Sequence, residues 1–126
     1  MKRDMDLVRS LLLYVEDNGD PMVEDIIRID GYDDNTTQHH ITLLKQAGFV
    51  GAFEIGDCNV EVSFYQDVQL TWPGHEFLEA VRDAKVWSQT KEAAKAAGSW
   101  SLTNLAAVAV AIGKAELSRA TGLEIN

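Results

Sequence analysis

A single cysteine, no long apolar run and only 11 lysines and arginines in 126 residues narrow the field at once. Cys58 has no second thiol in the chain, so no intramolecular disulfide forms, and nothing points to an oxidising compartment. The most apolar run, from Leu105 to Ile112, falls far short of the ~20 residues that span a bilayer, so no membrane partner is expected. The opening MKRDMD lacks the apolar stretch of a signal peptide, which makes the cytoplasm the expected compartment. No Cys-x-x-Cys, His-Glu-x-x-His or Glu-x-x-His spacing occurs. His39 and His40, adjacent on a helix, would point about a third of a turn apart and could not easily share a metal. There is no glycine-rich phosphate loop, so no nucleotide cofactor is implied. Cys58 sits in a turn-forming loop with no motif to orient a base beside it, which argues against a nucleophile. No catalytic residue, metal or cofactor is expected, and an enzyme is not the favoured class.

What is present is an ordinary globular composition, 46% hydrophobic and 25% charged, at a length that suits one domain or a small domain with an appendage. Apolar residues at helical spacing predict a helix from Asp4 to about Asp17, capped by Asp4 and stopped by Asn18-Gly19 and Pro21. The β-branched run Val23–Ile29 predicts a strand. A second helix is expected over 34–47, with Thr37, Ile41, Leu44 and Ala47 inward and Gln38, His39, Thr42, Lys45 and Gln46 outward. Phe49–Ile55 and Val60–Tyr65 read as a hairpin around Gly56-Asp57-Cys58-Asn59. Val60, Val62, Phe64, Val68, Leu70 and Trp72 share a parity that predicts one buried face, with a bend at Gln66-Asp67. Pro73 suits the first turn of a helix carried on to Ala97 and ended by Gly98. A last helix, capped by Ser99 or Ser101, is predicted from Leu102 to Ala120, with Gly113 marking a kink or a close contact. Trp72 and Trp87 are expected in the core, and Trp100 as a core lid or an exposed contact.

Helix, strand, helix, hairpin, helix is the order of a winged helix. The fold class expected is therefore α+β, a winged-helix-like domain over 1–83 with a two-helix C-terminal extension over 84–126. Leu102, Leu105, Ala109, Ile112 and Leu117 give the extension an apolar stripe, widened by Val108 and Val110, that predicts packing on the domain or a homodimer through 102–117.

The stretches MKRDMDLVRSLLLYVE, IDGY, HHITLLKQAGFV and LTWPGHEFLEAVRDAKVW together resemble an uncharacterised family of short bacterial and prophage proteins. That family is a domain of unknown function regarded as winged-helix-like. The similarity covers roughly residues 1–90, and His40, Gly48, Thr71, Trp72, Gly74 and His75 match its pattern. The resemblance implies this architecture and a home on a phage or mobile element. It implies no catalytic residue.

Charge separates the two binding classes that remain. Residues 1–83 hold six Lys/Arg against 17 Asp/Glu, a net of −11, whereas 84–126 hold five against three, a net of +2. A winged helix that reads DNA would place the 34–47 helix in the major groove, with Asn35, Gln38, His39, Thr42 and Lys45 as base-contacting candidates. Phosphate neutralisation by Lys and Arg drives most DNA affinity, and that helix has one base and opens on Asp33 and Asp34. A protein-binding module is therefore the preferred expectation, with Asp33, Asp34, Asp57 and Glu61 as the candidate contacts. Charge makes its partner basic, and the mobile-element setting that the resemblance implies makes that partner a host protein of a nucleic-acid-handling or defence complex.

Overall fold

The computed structural model describes residues 2–56, 63–98 and 101–121, with side chains at all of them except 102, 103 and 116–121. Among the described residues the chain is mixed α+β, with five helices and a two-stranded antiparallel sheet. It divides into two compact units, one ending at Leu78 and one beginning at Glu79.

The first unit starts with α1 (Met5–Asn18), where the Asp4 carboxylate accepts from the Leu7 amide at 3.1 Å and so satisfies one of the free N–H groups of the first turn. Met5, Leu7, Val8, Leu11, Leu12 and Val15 form its buried stripe, as the periodicity predicts. Helix α2 (Asp34–Gln46) is capped in the same way by Asp33, whose carboxylate accepts from the Thr36 amide at 2.7 Å. Thr37, Ile41 and Leu44 are buried as expected, but so are Gln38 and His40, while Ala47 is exposed rather than inward. Gly48, at φ +82°, turns the chain out of α2 into β1 (Val50–Ile55), which pairs with β2 (Phe64–Leu70).

The expected strand over 23–29 shrinks to one bridge, Val23 with Val68, plus a bond from the Asp67 amide to the Glu24 carbonyl. Beyond Glu24 a side chain takes the place of the ladder. Gln38 Nε2 donates to the Ile27 carbonyl at 3.0 Å, and Gln38 Oε1 accepts from the Tyr65 amide at 3.1 Å. The parity expected for the second hairpin strand also fails. Phe53 pairs with Gln66 and Gly51 with Gln69, so β2 holds one extra residue there, and Asp67 adopts φ +54°. This bulge switches the buried face from the even to the odd series on the hairpin-tip side, where Tyr65 is buried and Phe64 only half-buried. Val60 and Val62 lie outside the described residues. Trp72 falls past the end of β2 and is 77% exposed, which overturns its expected core position.

Helix α3 (Trp72–Val81) is fastened at its start. The Thr71 hydroxyl donates to the Gly48 carbonyl at 2.5 Å and accepts from the Gly74 amide at 3.2 Å, and the Thr71 amide donates to the Phe49 carbonyl at 3.1 Å. Phe49 and Phe77 stack with ring centroids 5.1 Å apart. The single helix expected from Pro73 to Ala97 is interrupted at Arg82-Asp83. The Asp83 carboxylate accepts from the amides of Lys85 and Val86, which starts α4 (Ala84–Ala97) as a separate helix.

In the second unit α4 packs on α5 (Leu102–Thr121) through Ala94, Leu105 and Ala109, and Trp87 is buried as expected. Ser101 is the cap of α5, since its hydroxyl accepts from the Asn104 amide at 3.1 Å. Trp100 and Ser99 lie outside the described residues. Gly113 marks no close contact, because a Cβ there would meet nothing within 4 Å. Gly113→Ala is therefore expected to stabilise the protein by about 0.5–1 kcal/mol, through the lower chain entropy of the unfolded state. A thermal melt that falls below that of the wild type would contradict this.

Candidate functional site

The acidic candidates sit at the start of α2. Asp33 is exposed, and the bond it accepts from the Thr36 amide holds its carboxyl below the usual carboxylate range. Its carboxylate therefore carries structure as well as charge. Asp34 is half-exposed and pairs with Arg28 Nε at 3.3 Å. Asp57 and Glu61 lie outside the described residues. The surrounding chain adds more of the same sign. From Glu16 to Asp34 there are eight carboxylates and one base, Arg28, and six of the eight carboxylates are exposed.

The candidates for base contact fare differently. Gln38 was expected to face outward, yet it is fully buried with both ends of its amide bonded to backbone. It cannot reach a base edge without breaking the joint between the 26–28 segment and β2. Thr42 is half-buried, with its hydroxyl bonded to the Tyr65 hydroxyl at 2.8 Å. Lys45 is exposed, its ammonium 5.6 Å from the centre of the Tyr65 ring. Asn35 is exposed and His39 half-buried, its ring set edge-on to that of His40 at 6.0 Å. Of the five, Asn35, His39 and Lys45 remain accessible.

His40 is a structural residue. Its Nε2 accepts from the Asp4 amide at 2.8 Å, so the proton lies on Nδ1, which donates to the Thr36 carbonyl at 2.8 Å. Tyr32 donates to the other side of the same joint, to Asp4 Oδ2 at 2.9 Å, and this bond to a carboxylate raises the Tyr32 hydroxyl above its ordinary range. Asp4 thus ties α1 to both Tyr32 and α2. His75 is exposed, and Cys58 lies outside the described residues. Among the described residues no three His, Cys, Asp or Glu side chains are grouped to hold a metal ion. Among them, too, no helix is long and apolar enough to cross a membrane.

One feature escaped the residue pattern altogether. A cleft of about 450 Å³, open to solvent, lies between the 26–28 segment, the start of α2 and the outer half of the hairpin. Ile26, Ile55 and Phe64 line it together with Gly56 and the ion-paired Arg28 and Asp34. In the sequence these residues are scattered through three elements. The only available hint was the position of Ile26, one residue out of phase with the buried Ile27.

This is an acidic α+β protein with an apolar cleft set among carboxylates. The chain belongs to the family described as "Hypothetical protein (DUF2513)", whose model matches residues 2–100. It is similar to an "Uncharacterized protein" of Haemophilus influenzae (strain ATCC 51907 / DSM 11121 / KW20 / Rd), 36% identical over an alignment of 98 residues, with 75% of this chain and 80% of the relative covered. No solved structure matches. Neither name states an activity.

Proposed function

We propose that the protein is a non-enzymatic binding module of winged-helix type whose acidic surface engages a basic protein partner. The observation that carries the reading is the carboxylate series from Glu16 to Asp34, eight acids of which six are exposed, against one base that is already paired. Complementary charge steers encounter and rejects partners of like sign, and a nucleic acid is of like sign here. The order α1, bridge, α2, β1, β2 supports the winged-helix assignment. In that arrangement α2 is the element offered to a target, and its start is acidic. The burial of Gln38 weakens the competing reading as a transcriptional regulator, because it removes the side chain best suited to adenine. A host nucleic-acid-handling or defence complex, met in the setting of a mobile element, is the partner class this proposal names, and its basic grooves are the surfaces the carboxylates would occupy.

The test pairs a DNA assay with a partner assay. At about 150 mM salt the full chain should show no tight duplex binding, whereas genuine specific sites give Kd near 10⁻⁸ M or tighter. Immobilised protein should retain basic host proteins in a salt-sensitive manner, and the variant Glu24→Gln/Asp25→Asn/Asp33→Asn should release them. Asparagine at 33 keeps a capping oxygen, so the variant changes charge and leaves α2 started. Tight binding to a selected DNA sequence, or equal retention by the variant, would overturn the proposal.

A further inference from the structure

We propose that the cleft lined by Ile26, Ile55 and Phe64 receives a large apolar side chain from a basic segment of the partner protein, and so acts as the anchor point of the interaction. This inference rests on the acidic-surface reading and adds to it the chemistry of the bound segment.

The geometry comes from the hairpin. Ile55 is paired directly with Phe64, and Phe53 with Gln66, so these four side chains share one face, opposite to that of Tyr65. Tyr65 is buried against Thr42 of α2, whereas on the other face Phe53 is 63% exposed. The apolar surface of the cleft thus continues along the hairpin to Phe53. Such a surface would be costly to leave wet, and large apolar side chains at the centre of an interface supply most of its binding energy.

The choice of occupant follows from openness and charge. Pockets for small ligands cover most of the ligand's surface, and a cleft this open to solvent would not. It suits a side chain carried on a polypeptide, whose flanking residues make the remaining contacts. Arg28 and Asp34 line the cleft as an ion pair that is already matched, while Asp25 and Asp33 are exposed next to Ile26 and Asp34 in the chain. Lysine or arginine beside the anchor would meet these carboxylates. A second copy of this chain would bring its own net of −11 over residues 1–83 to the same place, and a phosphate backbone or anionic lipid would be repelled likewise.

The experiment uses the full chain and short random peptides displayed on phage. Panning on wild-type protein at low salt should enrich peptides with one large apolar residue flanked by Lys or Arg. A synthetic peptide of the enriched type should move the amide resonances of Ile26, Ile55 and Phe64 in the wild type, a readout that needs no variant. Ile55→Asp and, separately, Ile26→Ser should weaken it by about tenfold or more, as loss of a central anchor does. Asp25→Asn/Asp33→Asn should weaken it several-fold at low salt, with the difference shrinking as salt rises. Basic peptides with no apolar anchor, indifferent to Ile55→Asp and lost in the carboxylate variant, would overturn the cleft while leaving the acidic-surface reading standing. Apolar peptides with no basic residue would overturn the proposed partner chemistry. Failure to enrich any peptide would count against both.

Discussion

Gln38→Leu is expected to destabilise the first unit by about 2–5 kcal/mol, although leucine fills nearly the same space. Each buried backbone group left unpaired costs roughly 1–3 kcal/mol, and Gln38 serves two, the Ile27 carbonyl and the Tyr65 amide. Gln38→Glu should fail as well, because a carboxylate can still accept from Tyr65 but cannot donate to Ile27 and would be charged in a buried site. Urea unfolding measures the loss, and hydrogen exchange of the Tyr65 amide localises it. If that amide stays as protected in Gln38→Leu as in the wild type, the side chain does not join the 26–28 segment to β2. A residue of this kind would look functional in a DNA-binding screen, since its loss removes any activity by unfolding the surface.

A comparable loss should follow Gly74→Ala, where about 4 kcal/mol or more is at stake. A Cβ at this position would lie 2.0 Å from the Phe49 carbonyl oxygen and 3.0 Å from its carbon, which are backbone atoms that no rotamer change can move aside. The Phe49 carbonyl also accepts from the Thr71 amide, and the Thr71 hydroxyl accepts from Gly74. To admit a methyl group, α3 would have to back away from the α2–β1 junction and give up those bonds together with the Phe49–Phe77 stack. The contrast with Gly113→Ala is the control, because the same substitution in the same protein should have opposite signs at the two sites. A Gly74→Ala protein that melts within a few degrees of the wild type would show that the junction yields easily.

The parts of the fold that were legible in the sequence are those decided locally. Periodic apolar residues located α1 and α2 to within a residue or two, with Asp4 as the cap of α1, and the first hairpin strand lies where expected, whereas the second, expected over 60–65, is described over Phe64–Leu70. The misreadings have a common physical origin. An extra residue at Asp67 is invisible to a period-two pattern, yet it reverses which of Phe64 and Tyr65 is buried. The run from Val23 to Ile29 has strand composition, but its neighbour's hydrogen bonds go to a glutamine from a helix. The break before α4 has no glycine or proline to announce it, and Asp83 alone marks the new start. Of the candidate site, Asp33 and Asp34 could be read from charge and position. The cleft could not, because its walls meet only through tertiary contact.

Asp33 has a consequence for how this surface can change over generations. The same carboxylate that would greet a basic partner also begins α2, and Asp4 and Asp83 begin α1 and α4. Part of the chain's acidity is thus committed to starting helices. Drift toward a neutral or basic surface is open at these positions only through the few side chains that cap without charge, chiefly serine, threonine and asparagine. A lysine at 33 would remove a carboxylate and a helix start in one step, so folding bars a basic residue at the head of α2 while leaving a neutral cap open.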